Sequence, residues 1–148
     1  MIVRPMEPND LPAVSALENE SFSMPWSYAE LESCLQKDFY DFFVATEGDA
    51  LAGYIGMYRV LDEADIVNVA VDKRFRRQGI AAELMAVILE TARLRGITAV
   101  TLEVRDSNDP AIRLYEKCGF RQIGLRRGYY QKPEEDARIY ALALPVKD

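Results

Sequence analysis

The apolar positions change period several times along the chain. Ile2 to Arg4 reads as a short strand, and Asn9 then offers an N-cap to a helix carrying Leu11, Val14 and Leu17 on one face. The next helix has a stronger start. Ser27 and Glu30 stand at capping-box spacing, Trp26 and Leu31 occupy the staple positions around them, and the pattern runs to about Lys37. Three strand-like runs follow, Asp41 to Thr46, Leu51 to Arg59 and Ile66 to Val71, separated by the turns Glu47-Gly48-Asp49 and Leu61-Asp62-Glu63. Alternation in the third run puts Val67, Val69 and Val71 on one face and Ile66, Asn68 and Ala70 on the other. From Gly79 the period becomes helical, with Ile80, Leu84, Val87, Ile88 and Thr91 on one face and a stop at Arg95-Gly96.

Thr98 to Val104 is again a strand, with Val100, Leu102 and Val104 on one side and Thr101 and Glu103 on the other. Asp109-Pro110 reads as an N-cap followed by proline at the first helical position. That helix stops at Gly119, with Phe120 placed to pack back on Tyr115. Arg121 to Leu125 and Ala137 to Leu144 close the chain as strands around a polar loop. The order βααβββαβαββ predicts an α/β fold: a mixed, mostly antiparallel twisted sheet of about seven strands flanked by about four helices. The helix from Gly79 should make a right-handed crossover between two parallel strands. At 148 residues the expectation is one domain spanning 1–148.

Composition narrows the chemistry. With 49% apolar and 28% charged residues, and no apolar run near the ~20 residues of a membrane span, the chain reads as a globular protein without a membrane partner. The N-terminus MIVRPMEPND lacks the succession of a secretory signal, so a cytoplasmic location is expected. Cys34 and Cys118 are too few for a disulfide framework and read as reduced, buried thiols. The absence of histidine removes Ser-His-Asp and Cys-His catalysis and most zinc sites, and no metal is expected. Proton transfer then falls to carboxylates, Tyr, Lys, Cys or water. The net charge of -6 argues weakly against nucleic acid and is compatible with a basic protein substrate. It leaves the oligomeric state open, a monomer included.

Against that acidic background the stretch VDKRFRRQGIAA, Val71 to Ala82, places four cations and one glycine between a strand and a helix. A strand that turns into a helix leaves the first helical N–H groups unpaired, with the positive end of the macrodipole behind them. Gly79 lets a phosphate approach the backbone, Ala81 and Ala82 keep the first turn open, and Arg76 and Arg77 add charge. The segment Arg76 to Ala82, with the backbone of Gln78, Gly79 and Ile80, therefore reads as a pyrophosphate cradle. The ordinary alternative is a solvated basic loop. Neither a G-x-G-x-x-G fingerprint nor a G-K-[ST] loop is present, and nothing beside these cations would read bases.

The same segment, together with Leu102-Glu103-Val104-Arg105, Ser107-Asn108, Ala111-Ile112, Leu114-Tyr115-Glu116 and Gly119-Phe120, resembles the GCN5-related N-acetyltransferase superfamily. Phe22 to Trp26, Leu61 to Ala64, Asn68 to Asp72, Arg126-Arg127 with Tyr129-Tyr130, and Asp136 to Pro145 extend the likeness toward the bacterial ribosomal-protein-alanine N-acetyltransferases. The resemblance covers nearly the whole chain. It implies acetyl-CoA as the acetyl donor and direct transfer in a ternary complex to the N-terminal peptide of a ribosomal protein. It also implies Glu103 as general base, directly or through a water, and Tyr115 as the acid that protonates the departing thiolate.

By the same resemblance, the backbone of Val69, Ala70 and Val71 contacts the acyl and pantetheine portions of the donor, and Asn108 is a further contact. Tyr129 and Tyr130 lie in a closing loop over the peptide, and Trp26 is a helix staple first and a groove wall second. Ordinary readings stand beside these: a solvated strand carboxylate for Glu103, a core aromatic for Tyr115 and a turn residue for Asn108. The chain departs from its relatives at Ala81, where many carry glycine, and at Gly128, where asparagine is common and substrate-loop order is put in question. Competing functions are a transferase for a small amine or a lysine side chain, a non-catalytic acyl-CoA sensor, and nucleic-acid binding through Lys73 to Arg77.

Overall fold

The structure is a computed structural model that describes residues 1–145. In chain order the elements are β1 (Ile2–Pro5), α1 (Leu11–Ser21), α2 (Tyr28–Leu35), β2 (Tyr40–Glu47), β3 (Ala50–Val60), β4 (Glu63–Val71), α3 (Ile80–Leu94), β5 (Ala99–Arg105), α4 (Asp109–Lys117), β6 (Arg121–Tyr130) and β7 (Glu135–Ala143). The strands form one sheet in the order β1-β2-β3-β4-β5-β7-β6. Every neighbouring pair is antiparallel except β4 and β5, which α3 connects. The expected α/β fold, a mixed and mostly antiparallel seven-stranded sheet with four helices, is what forms.

Each face of the sheet carries its own core. On one, Leu84, Met85 and Ile88 of α3 and Ile112 and Tyr115 of α4 pack against Ile55, Met57, Val100 and Tyr140. On the other, Leu11, Val14 and Leu31 from α1 and α2 pack against Phe42, Val44 and Tyr54. Each fully buried aliphatic side chain contributes about 1.5–3 kcal/mol, so both helical layers are fixed by the sheet. The start of α2 forms as its spacing predicts: Ser27 Oγ accepts the Glu30 N–H and Glu30 Oε1 accepts the Ser27 N–H, each at 3.1 Å.

Local departures from the sequence pattern have identifiable causes. Asn9 does not cap α1. Pro8 opens a short 3₁₀ turn instead, in which Asp10 Oδ2 accepts the Glu7 N–H at 2.8 Å while Arg4 grips the same carboxylate and holds it below the usual range. The buried face of α3 is Ile80, Leu84, Met85, Ile88, Leu89 and Ala92; Val87 and Thr91 sit at its margin because the helix is apolar over a wider arc than one stripe. The cap of α4 is Asn108 rather than Asp109, with Oδ1 accepting the Ala111 N–H at 3.3 Å and Pro110 at the second helical position. β6 does not end at Leu125 but runs on to Tyr130, because after an irregular stretch beyond Arg126 the hairpin with β7 pairs again at Tyr130 and Glu135, next to a four-residue turn.

The most consequential departure lies in β4. Gly56 pairs with Asn68 and Met57 with Ile66, so Val67 is an extra residue, a β-bulge. Alternation restarts across it. Ile66 joins Val69 and Val71 on the α3 face, whereas Ala70 belongs to the α1 and α2 face, so the expected grouping of Ile66 with Ala70 is wrong. Just past the bulge the sheet opens: β4 pairs with β5 only from Glu63 and Ala99 to Ile66 and Leu102. Beyond that point β4 has no strand on its β5 side.

Candidate active site

The open edge of β4 presents backbone groups in a defined direction. Asp72 N–H donates to Ala52 O at 2.8 Å. Since the direction of N–H and C=O alternates along an antiparallel strand, Ala70 and Asn68 also face β3, while Val69 and Val71 turn theirs into the split. Of the three residues whose backbone was expected to meet the donor, Val69 and Val71 turn theirs into the open split, and Ala70 is committed to β3.

The split leads to the start of α3. Gly79 is the N-cap with φ +75, no side chain caps the helix, and the first intrahelical bond is Glu83 N–H to Gly79 O at 3.1 Å. The amides of Ile80, Ala81 and Ala82 are therefore left without helical partners. A Cβ on Gly79 would have nothing within 4 Å, so the glycine answers to backbone conformation and to open space in front of it. Arg76, Arg77 and Gln78 are exposed around this end, whereas the Ile80 side chain is buried and offers only its amide. Arg74 is taken up locally, forked onto Asp72 and lying 5.3 Å over the Phe75 ring.

Glu103 and Tyr115 lie on opposite sides of the sheet, Tyr115 with the core that holds Val100, Leu102 and Val104 and Glu103 on the other face of β5. Glu103 is half-buried on β5, its side chain 28% exposed, and Arg126 Nε lies 3.1 Å from its Oε1. The Glu103 carboxylate is the first cause that raises the Tyr129 phenol beside it; burial and Asp65 add to the effect and Arg126 opposes it. Tyr115 packs its ring 6.1 Å from Phe120, and burial, with Tyr130 nearby, pushes its hydroxyl up to about 12. A phenol so placed stays protonated at neutral pH and can donate. Tyr130 is likewise pushed up to about 12, first by burial and then by Glu103. Tyr129 and Tyr130, 5.1 Å apart and nearly perpendicular, belong to the end of β6 rather than to a loop. Gly128 has φ +60, which glycine and asparagine tolerate best, and its N–H is held by Asp136 Oδ1 at 2.9 Å.

Trp26 stands edge-on to Tyr40 at 6.3 Å and packs against the core beneath α2. Its backbone N–H donates to Glu18 Oε2 at 2.8 Å. Glu18, 1% exposed, is also bonded by the Tyr54 hydroxyl and by Asn68 Nδ2 at 3.3 Å, and burial raises its carboxyl above the ordinary value. It links the connector between α1 and α2 to the β4 bulge. The sequence pattern does not single out Glu18, and Arg105 and Arg126 enter only within the stretches that carry the resemblance, with no role attached. Glu18 leaves a trace in the periodicity, a carboxylate four residues after Val14 on the apolar face of α1.

Residues 11–120 match the Acetyltransferase (GNAT) family. The chain belongs to that family. This acetyltransferase is 37% identical over 143 residues to the [Ribosomal protein bS18]-alanine N-acetyltransferase of Escherichia coli strain K12, covering 95% of this chain and 96% of that protein. The Salmonella typhimurium protein of the same name is 35% identical over 137 residues, covering 93% and 92%. Among solved structures, the ribosomal-protein-S18-alanine N-acetyltransferase from Escherichia coli superimposes with a TM-score of 0.91 at 36% identity, over 99% of this chain and 96% of that one. Ard1 from Thermoplasma volcanium gives 0.89 at 29% identity, over 97% of each chain. The acetyltransferase is thus an acyltransferase, with the split between β4 and β5 at the centre of its fold.

Proposed function

We propose that the protein transfers an acetyl group from acetyl-CoA to the N-terminal α-amine of an alanine that begins a ribosomal protein. The observation that carries this reading is the split itself: an open strand edge with the Val69 and Val71 amides, beside the β5 strand that carries Glu103, and an uncapped helix start at Gly79. The similarity to enzymes named for ribosomal-protein alanine supports the substrate.

These groups fit an acyl thioester that carries phosphates. The amides of Ile80 to Ala82, with Arg76, Arg77 and Gln78 around them, would hold the pyrophosphate, and Asn108 remains a candidate contact through its amide nitrogen while its oxygen caps α4. The donor supplies an activated acetyl group when bound. The Val69 or Val71 amide polarises a carbonyl placed between the strands. Glu103 accepts a proton from the amine, directly or through a water, and Tyr115 gives one to the sulfur that leaves.

An α-amine with a reference pKa near 8 is neutral more often than a lysine near 10.4, a difference of about 3 kcal/mol at neutral pH. A chain terminus is therefore the easier nucleophile. Trp26, Tyr129 and Tyr130 would wall the peptide. Among the described residues no group of acidic or cysteine side chains is arranged to hold a metal, and no helix is long and apolar enough to cross a membrane. We place the reaction in the cytoplasm, where nascent ribosomal proteins are found.

Thiol release measured against an arginine-rich peptide beginning with alanine, the same peptide with a blocked terminus, a polyamine and free lysine tests the assignment. Turnover with the free-terminus peptide alone is expected. Activity that survives blocking, or that prefers the polyamine, overturns it.

A further inference from the structure

Arg105 ends β5 two residues beyond Glu103, on the same face of the strand, and its guanidinium joins two segments that are far apart in sequence. Nη2 donates to Gln131 O at 2.9 Å and to Ser23 Oγ at 3.2 Å, while Nη1 donates to Pro133 O at 3.0 Å and reaches Glu135 Oε1 at 3.4 Å. Its Cζ lies 4.5 Å from the centre of the Tyr130 ring. Ser23 Oγ itself donates to Gln131 O at 3.3 Å, so the two segments touch beside the fork.

Ser23 belongs to the connector between α1 and α2, which leads to Trp26. Gln131 and Pro133 belong to the turn between β6 and β7, which follows Tyr129 and Tyr130. The turn carbonyls take no part in the strand ladder, which resumes only at Tyr130 and Glu135. The side chain is only 25% exposed, and a planar five-donor fork suits this arrangement of acceptors in a way a single ammonium cannot.

We infer that Arg105 is a positioning residue for the acceptor substrate. It closes the connector and the hairpin turn into one wall, and so sets the affinity for peptide residues beyond the first without acting on the donor or on the transfer step. The inference rests on the proposed N-terminal peptide substrate.

Two measurements on the full chain, with Arg105→Ala and Arg105→Lys, test it. Hydrogen exchange should show the non-proline amides of residues 22–27 and 131–134 speeding up together in Arg105→Ala, by about tenfold for the loss of charge-assisted bonds, with α3 and the β3–β4 ladder unchanged. In steady state, KM for an alanine-first peptide should rise about tenfold in Arg105→Ala with kcat nearly constant, KM for acetyl-CoA unchanged, and kcat/KM for alaninamide unchanged. Arg105→Lys should recover only part of the peptide affinity.

Exchange that rises in one segment alone, a loss shared equally by alaninamide, or complete rescue by lysine would each overturn the inference. If the wild type acetylates no free-terminus peptide, the substrate reading fails, and the exchange experiment still decides whether Arg105 joins the two segments.

Discussion

Gly79→Ala separates the conformational role of the α3 start from its role as an anion site. At φ +75 an alanine is strained by about 1–2 kcal/mol, since its Cβ crowds its own backbone. Part of this is offset by about 0.4–1 kcal/mol from the reduced freedom of the unfolded chain. With nothing within 4 Å of the added Cβ, no clash enlarges the figure. The net loss is about 1 kcal/mol, a fall in Tm of about 2–4 °C for a chain of this size. The methyl group projects in front of the unpartnered amides, where a phosphate would sit. Losing one charge-assisted bond there costs about 1.5–3 kcal/mol, or tenfold to hundredfold in affinity. Calorimetric titration with CoA, beside a melt without ligand, measures both terms. Affinity within about twofold of the wild type in a folded variant would remove the α3 start as the phosphate site. A melt lowered by far more than the strain accounts for would show that Gly79 serves packing instead.

Glu103→Gln keeps the shape of the side chain and removes the base; kcat should fall by about 10²–10⁴ with KM for acetyl-CoA unchanged, and stopped-assay rates within a few-fold of wild type would exclude Glu103 as the base. Tyr115→Phe should lower kcat by about tenfold or more. Because burial pushes that hydroxyl up to about 12, the deficit should be the same from mildly acidic to mildly alkaline pH, and a deficit that vanishes on the alkaline side would contradict the acid role. Glu18, held above the ordinary carboxyl value by burial, binds its proton more tightly folded than unfolded. Its contribution to stability is therefore full below the unfolded value and is lost as pH rises through the folded one. The urea midpoint of Glu18→Gln, neutral throughout, should gain on the wild type across that window; a pH-independent difference would refute this.

Local chemistry was legible in the chain wherever a few neighbouring residues decide the outcome. Ser27 with Glu30 fixes the start of α2, and Gly119 lets Phe120 pack back on Tyr115, its N–H bonding Tyr115 O at 3.0 Å. The strand face of Glu103 followed from simple alternation. What was hidden depends on partners distant in sequence. The bulge at Val67 exists only against Gly56 and Met57 of β3, so alternation alone misassigned Ile66 relative to Ala70. Tyr129 and Tyr130 became strand residues because β6 and β7 pair again at Tyr130 and Glu135 after an irregular stretch that carries no periodic apolar signal. Arg105 and Arg126 stood in stretches that carry the resemblance, but their partners, hairpin carbonyls for the first and Glu103 for the second, appear only in the fold.

The central claim is transfer to a chain terminus in the split between β4 and β5. An arginine-rich peptide with a free N-terminal alanine and an internal lysine, incubated with enzyme and acetyl-CoA and then fragmented in a mass spectrometer, reports on it directly. The acetyl group is predicted on the α-amine alone in the wild type, and this product should be strongly reduced in Glu103→Gln. Acetyl on the lysine side chain, or an undiminished yield from the Glu103 variant, would contradict the account.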